Sequence, residues 1–222
     1  MRSASILFRQ SSQPVRLAIT KFCGQPVWIG APQWPLSRST GKPMHFIGQV
    51  ALTQELFKNA HGRMVYIFMS LDQDIEGTSD PDGGENAVVV QPGHFSGPCA
   101  DRATGPSLEI AKDFFTGPLN RKGRCEFTAE LAVIDEPSVP TREEAATLSQ
   151  EQLRQRYRLL ARNKIGGVPF WIQNEAFPFP QAQLVLQLSD SGHVPFFVNF
   201  GNGQAYVFVD AQARQGKMLW QC

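Results

Sequence analysis

The sequence predicts an α+β fold, mainly antiparallel sheet built from two pseudo-symmetric repeat units, with one principal helix at about 141–162. Three observations predict it. Residues 21–35 (KFCGQPVWIGAPQWP) and residues 164–178 (KIGGVPFWIQNEAFP) share six of fifteen positions at a constant offset of 143, where average composition gives about one. Short runs rich in β-branched and aromatic residues (FIGQV, MVYIFM, AVVVQ, LVLQL, PFFVNF, QAYVFV) read as strands. Between the repeats, Pro140 and Thr141 precede Glu144 in the spacing of a capping box, ahead of an apolar stripe at Leu148, Leu153, Tyr157, Leu160 and Ala161.

The elements follow in order. Unit one spans about 17–70. Its Lys21, Gly24, Pro26, Trp28, Ile29 and Pro35 match Lys164, Gly167, Pro169, Trp171, Ile172 and Pro178 of unit two. The Gly-x-Pro turn presents a Trp to the core and leads into a strand. Next, FIGQV parallels LVLQL, each an apolar run broken by one glutamine, Gln49 or Gln187. A glutamine in such a run points inward and needs partners, so both are expected to bond backbone. A glycine turn and a Tyr-x-Phe strand (Tyr66, Tyr206) close each unit. Residues 71–140 form an irregular middle, with the turn signals PDGGEN, QPGHFSGP and FTGPLNRKG and one alternating strand near 124–134. The helix plus unit two occupies about 141–222, and Arg154, Arg156, Arg158 and Arg162 form its solvated side. Each unit alone is too small to be stable, so residues 1–222 read as one domain.

Composition bounds the chemistry. The 222 residues carry 21 Lys and Arg against 20 Asp and Glu, a net charge of +1. That lacks the basic excess of a protein that binds nucleic acid directly. No apolar run reaches the ~18 residues needed to span a bilayer, and the first residues are too short for a leader's apolar core. The expected location is therefore the cytoplasm, with no membrane partner. The scattered Cys23, Cys99, Cys125 and Cys222 are expected to be thiols rather than disulfides.

Catalytic motifs are missing: no GxSxG, HExxH, phosphate loop or GxGxxG after a strand occurs. The four histidines lack metal-ligand spacing. His94 and Cys99 could form a thiol–base pair, but nothing in sequence orients them. No catalytic residue, metal or cofactor is expected. Residues 72–86 (DQDIEGTSDPDGGEN) stand apart, with Asp72, Asp74, Glu76, Asp80, Asp82 and Glu85 and no basic residue. The segment opens like a calcium loop but has Gly83 where a bidentate Glu is required. A solvated loop is one reading. An irregular oxygen site for a cation is another, and the third is a partner-binding loop whose negative potential speeds encounter with a basic protein.

The two K-x2-G-x-P-x-W blocks, the Gln-bearing strands and the closing KMLWQC resemble the YwqG-like family, from about Leu17 to Cys222, although residues 72–123 follow no pattern of that family. The resemblance implies a compact α+β fold with extensive antiparallel sheet. It implies no established activity, but some relatives are similar to immunity factors found beside secreted antibacterial toxins. The expected function is thus a non-enzymatic immunity protein that masks the active site of a toxin, a nuclease with a basic cleft being a plausible target, using the six carboxylates. The alternative is a small-ligand or peptide-binding domain with a cleft lined by Trp28, Trp171 and the paired glutamines.

Overall fold

The computed structural model describes residues 1–72, 75–109, 126–190 and 194–222. Its strands are β1 (Arg2–Gln10), β2 (Lys21–Cys23), β3 (Trp34–Pro35), β4 (His45–Ala51), β5 (Met64–Met69), β6 (Asn86–Gln91), β7 (Cys99–Ala100), β8 (Glu126–Asp135), β9 (Lys164–Gly166), β10 (Gln183–Ser189), β11 (Gln204–Val209) and β12 (Gly216–Gln221). All but β3 and β7 close an antiparallel barrel in the order β1-β8-β2-β4-β5-β6-β12-β11-β10-β9. This corrects the expected α+β class: the fold is mostly β, a closed barrel with two short helices among the described residues. The repeats do predict antiparallel strands, but the edges of the two units pair with each other, and closure removes the exposed edges that an open sheet would keep.

The principal helix is corrected too. It is two short helices, α1 (Arg142–Thr147) and α2 (Gln150–Ala161). The predicted Thr141–Glu144 capping box forms, but Leu148 turns extended (φ −81°, ψ 144°) and Ser149 opens a second capping box with Gln152. The apolar stripe crosses this break. Leu160 is the single buried residue of the two helices, so packing does not hold them as one rod.

A pseudo-twofold relates β1, β2, β4, β5 and β6 to β8, β9, β10, β11 and β12. Strand β2 meets β4 at Lys21↔Gln49, and β9 meets β10 at Lys164↔Gln187. Bulges fall at matching places, Phe46/Gly48 and Leu184/Leu186. The first strands are exchanged between units. β8 lies against β2 (Cys23↔Glu126) and β1 against β9 (Ser3↔Gly166), while β1 and β8 pair with each other from Arg2↔Asp135 to Gln10↔Phe127.

Side-chain alternation fills both faces of the sheet. Val65, Ile67 and Met69 of β5 and Ala205, Val207 and Val209 of β11 point into a packed interior shared with Phe22, Phe196 and Phe200. Tyr66, Phe68, Tyr206 and Phe208 face outward into two smaller apolar clusters beneath Trp28 and Trp171. Strands buried on both faces read as continuous apolar runs, which is how these appear in the sequence.

The repeated residues are the braces of this frame. Gln49 Oε1 accepts from Val27 N (2.8 Å) and its amide donates to Ile19 O (2.9 Å). Gln187 does the same with Phe170 N (2.8 Å) and Leu160 O (2.8 Å). The Tyr66 hydroxyl bridges Ile29 N and Val27 O (both 2.9 Å), and Tyr206 bridges Ile172 N (3.2 Å) and Phe170 O (2.7 Å). The two buried lysines take their carboxylates from either end of β8: Lys21 pairs with Glu126 at its start, and Lys164 with Glu136, the residue just after it, at 2.5 Å. Gly24 (φ +69°) is required here, because a Cβ would stand 2.5 Å from Glu126 Cδ.

Candidate functional site

The acidic segment runs from β5 to β6 along the outside of unit one. Glu85 is its anchor. Its carboxylate, 3% exposed, accepts from Ser37 Oγ (2.7 Å), Ser70 Oγ (2.8 Å) and Ser39 N (2.9 Å). Burial is the largest influence and pushes this carboxyl up. The hydrogen bonds from Ser37, Ser39 and Ser70 together outweigh it and hold the group below its ordinary range. Glu85 is thus an ionised strut inside the protein.

Above it the chain is tightly folded. Asp80 Oδ1 accepts from Asp82 N (2.8 Å), Gly83 N donates to Asp80 O (3.2 Å), and the Asn86 amide donates to Thr78 O and Asp80 O (both 2.9 Å). Asp82 bonds Lys217 Nζ at 2.7 Å on β12, and its carbonyl accepts from Arg38 Nη1 (2.9 Å). Asp72 meets Lys42 Nζ at 3.2 Å. Glu76 and Asp80 are exposed with no cation on their carboxylates among the described residues. Asp74 lies outside the described residues.

The segment therefore brings five of its six carboxylates into view in three roles: Glu85 as internal strut, Asp72 and Asp82 in rim ion pairs, Glu76 and Asp80 open to solvent. Lys42, Arg38 and Lys217 temper a charge that looks unopposed in sequence. They were missed because they lie far along the chain. Lys217 reaches the segment only because β12 closes the barrel against β6.

That closure is slender, with Gly216↔Val88 as its one ladder pair. Beside it lies a cavity of about 190 Å³ lined by Arg38, Asp82, Asn86, Phe95, Arg214 and Lys217, among others. Charges of both signs at one rim suit the reading of a partner's charge pattern, in which register matters more than bulk attraction.

No protein-family model and no curated protein matches the chain.

The other sequence candidates separate in space. Trp28 stacks near Phe68 (6.1 Å) and Trp171 near Phe208 (5.7 Å), in clusters on different halves, and both glutamines are committed to backbone. His94 and Cys99 are both exposed and share no hydrogen bond; Cys99 pairs with Pro35 in the β3–β7 ladder. Among the described residues no group of three or more His, Cys, Asp or Glu is placed to hold a metal ion. Among them, too, no helix is long and apolar enough to cross a membrane.

Proposed function

We propose that this protein is a non-enzymatic binding module of the YwqG-like kind, acting in the cytoplasm as an immunity protein against a toxin effector with a basic active-site cleft, a nuclease being the class that fits. The observation that carries the reading is the acidic segment anchored at Glu85 by Ser37, Ser39 and Ser70, with Glu76 and Asp80 presented outward and Asp72 and Asp82 on the rim. Anchoring at Glu85 lowers the entropy the segment would lose on binding. Its carboxylates steer a basic partner and set register.

The test begins with the genes beside this one, where the reading requires a secreted nuclease-like toxin, and uses that toxin domain. Co-production should restore growth, and the two purified proteins should associate with a rate that falls as salt rises. Replacing Asp72, Asp80 and Asp82 by Asn and Glu76 by Gln should slow association about 10-fold at low salt and flatten the salt dependence. The fold should survive, because the ion pairs lost are exposed ones worth at most about 1 kcal/mol each. Absence of rescue refutes the immunity role. Rescue with unchanged association in the variant removes the acidic segment from the interface.

A further inference from the structure

The pseudo-twofold exchanges β6 and β12, so its axis passes through their seam, and the cavity of about 190 Å³ lies there. Matching residues of the two units fix the correspondence. Gln91 accepts from Gly30 N (2.9 Å) and donates to Ala31 O (2.7 Å), as Gln221 does with Gln173 N (3.1 Å) and Asn174 O (2.7 Å). Phe68 faces Ala87 across the β5–β6 ladder, and Phe208 faces Lys217 across β11–β12. Lys217 is therefore the counterpart of Ala87, Arg214 of Gly84 and Phe179 of Leu36. All six line the cavity, and every residue of the lining is among those described.

At each of these pairs unit two supplies the larger or charged member, so the departures from symmetry gather two cations and a ring at one spot. Arg38 adds a third cation from residues 36–44, a connection longer than its counterpart at 179–182. Phe95 packs with the unit-one aromatic cluster and Phe179 with that of unit two, which gives the cavity an apolar wall from each half. Against the three cations stands one carboxylate, Asp82, the acidic segment's single charged contribution to the lining. It holds Lys217 at 2.7 Å, and the Lys217 ammonium lies 5.3 Å from the centre of the Phe179 ring. The Arg214 guanidinium has no acceptor among the described residues. Asp210 Oδ1, the carboxylate nearest along the chain, is turned to Arg214 N (2.7 Å) and Gln215 N (3.2 Å) instead.

We propose that this cavity is a binding site for a small aromatic carboxylate. A cavity of about 150 Å³ admits a benzene ring, so the volume here suits a ring that carries one carboxylate. The ring takes the space between Phe95 and Phe179, where offset and edge-on ring contacts are favourable. The carboxylate takes Arg214, whose planar fork matches two oxygens and is otherwise unused. The excess of cations over carboxylates in the lining selects an anion and opposes an amine. Neither half holds the site alone: unit one brings Phe95 and Arg38, and unit two brings Phe179, Arg214 and Lys217. The site shares Asp82 with the acidic rim but does not rest on the immunity reading.

The probes are benzoate, benzamide, benzylamine and acetate, titrated into the full chain by isothermal calorimetry at low salt. Benzoate should bind saturably with a Kd under about 1 mM, and the other three about 10-fold more weakly or worse. Arg214→Gln should weaken benzoate about 10-fold with an unchanged melting temperature, because this side chain is exposed and holds nothing in the fold. Asp82→Asn should act in the opposite direction and tighten benzoate, since it removes the one carboxylate of the lining and frees Lys217. Under the immunity reading the same replacement weakens attraction to a basic toxin, so the two claims fail separately. Absence of saturable benzoate binding overturns the proposal. So does benzoate binding that Arg214→Gln leaves unchanged or that Asp82→Asn weakens. Acetate or benzamide bound as tightly as benzoate would overturn the aromatic carboxylate as the ligand class.

Discussion

Replacing Glu136 by Gln should destabilise the barrel severely, through a charge left without its counterion. The Lys164 and Glu136 side chains are both 0% exposed. Glu136 Oε1 accepts from Lys164 Nζ and Oε2 from Val168 N at 2.8 Å, while Lys164 Nζ also donates to Val168 O at 2.6 Å. Breaking a buried pair from one side costs about 3–5 kcal/mol, a large part of the 5–15 kcal/mol that holds a domain together. With a urea m-value near 2 kcal/mol/M, the unfolding midpoint should fall by roughly 1.5–2.5 M. Burial already holds the Lys164 ammonium below the ordinary lysine range, opposed by the hydrogen bond and charge of Glu136. In the variant that opposition is gone. The folded lysine then binds its proton less readily than the unfolded one, so stability should rise as the pH is taken from 7 toward 10. The paired variant Glu136→Leu with Lys164→Met removes both charges and should recover most of the loss. Urea titrations of the three proteins at pH 7, 8.5 and 9.5, followed by fluorescence, give every number needed. A midpoint shift under 0.5 M, or a double variant no better than the single, would refute the reasoning.

Two further perturbations probe the same frame. Tyr66→Phe strands Ile29 N and Val27 O and should cost about 1–3 kcal/mol; Tyr206→Phe should cost less, because Gln204 Nε2 still donates to Phe170 O at 2.9 Å. Burial pushes the Tyr66 hydroxyl up to about 12, against a lowering bond from Ile29. The unfolded phenol ionises first, so stability contributed by Tyr66 should fade as pH rises from about 10 through 12, and urea midpoints between pH 8 and 11 that fall equally in Tyr66→Phe would contradict this. His45, whose Nδ1 is buried without a partner among the described residues, is held below its ordinary range by burial, which outweighs the charges of Asp72 and Glu109. The unfolded histidine takes up a proton first as pH falls below about 6.5, so His45→Gln should lessen the loss of stability between pH 7 and 5, measured by thermal melts; identical pH profiles would exclude His45 as a source of acid sensitivity.

The sequence made the repeated braces legible because each is local in pattern. Lys21, Gln49 and Tyr66 sit at fixed places in apolar runs and recur as Lys164, Gln187 and Tyr206. A polar residue inside a buried strand must find partners, so its structural role follows without knowing the fold. Their partners are another matter. Nothing near Lys21 in sequence points to Glu126, and Glu136, just past the far end of the same strand, serves the other half. Closure was equally hidden. Strand β1 is half polar and mixed in pattern because it lies on the barrel's less covered side. The helix was overestimated because its stripe is continuous across Leu148 while its backbone is not. In the acidic segment the charges were plain, but not their fates: Glu85 goes inside because Ser37, Ser39 and Ser70 converge on it, and Lys217 arrives across the seam.

The exchange of β1 and β8 between units has a consequence for how the chain is made. On the ribosome β1 emerges before both of the strands it will pair with, and its edges stay open until residues 126–135 and then 164–166 have followed. A half-synthesised chain has no β8 to cover β2 and no β9 to cover β1. Neither half can therefore be finished first as an independent folding unit, and the barrel must close late, over long loops whose ordering slows the step. Cutting the chain between the units should yield two fragments that are each insoluble alone and that assemble only when mixed.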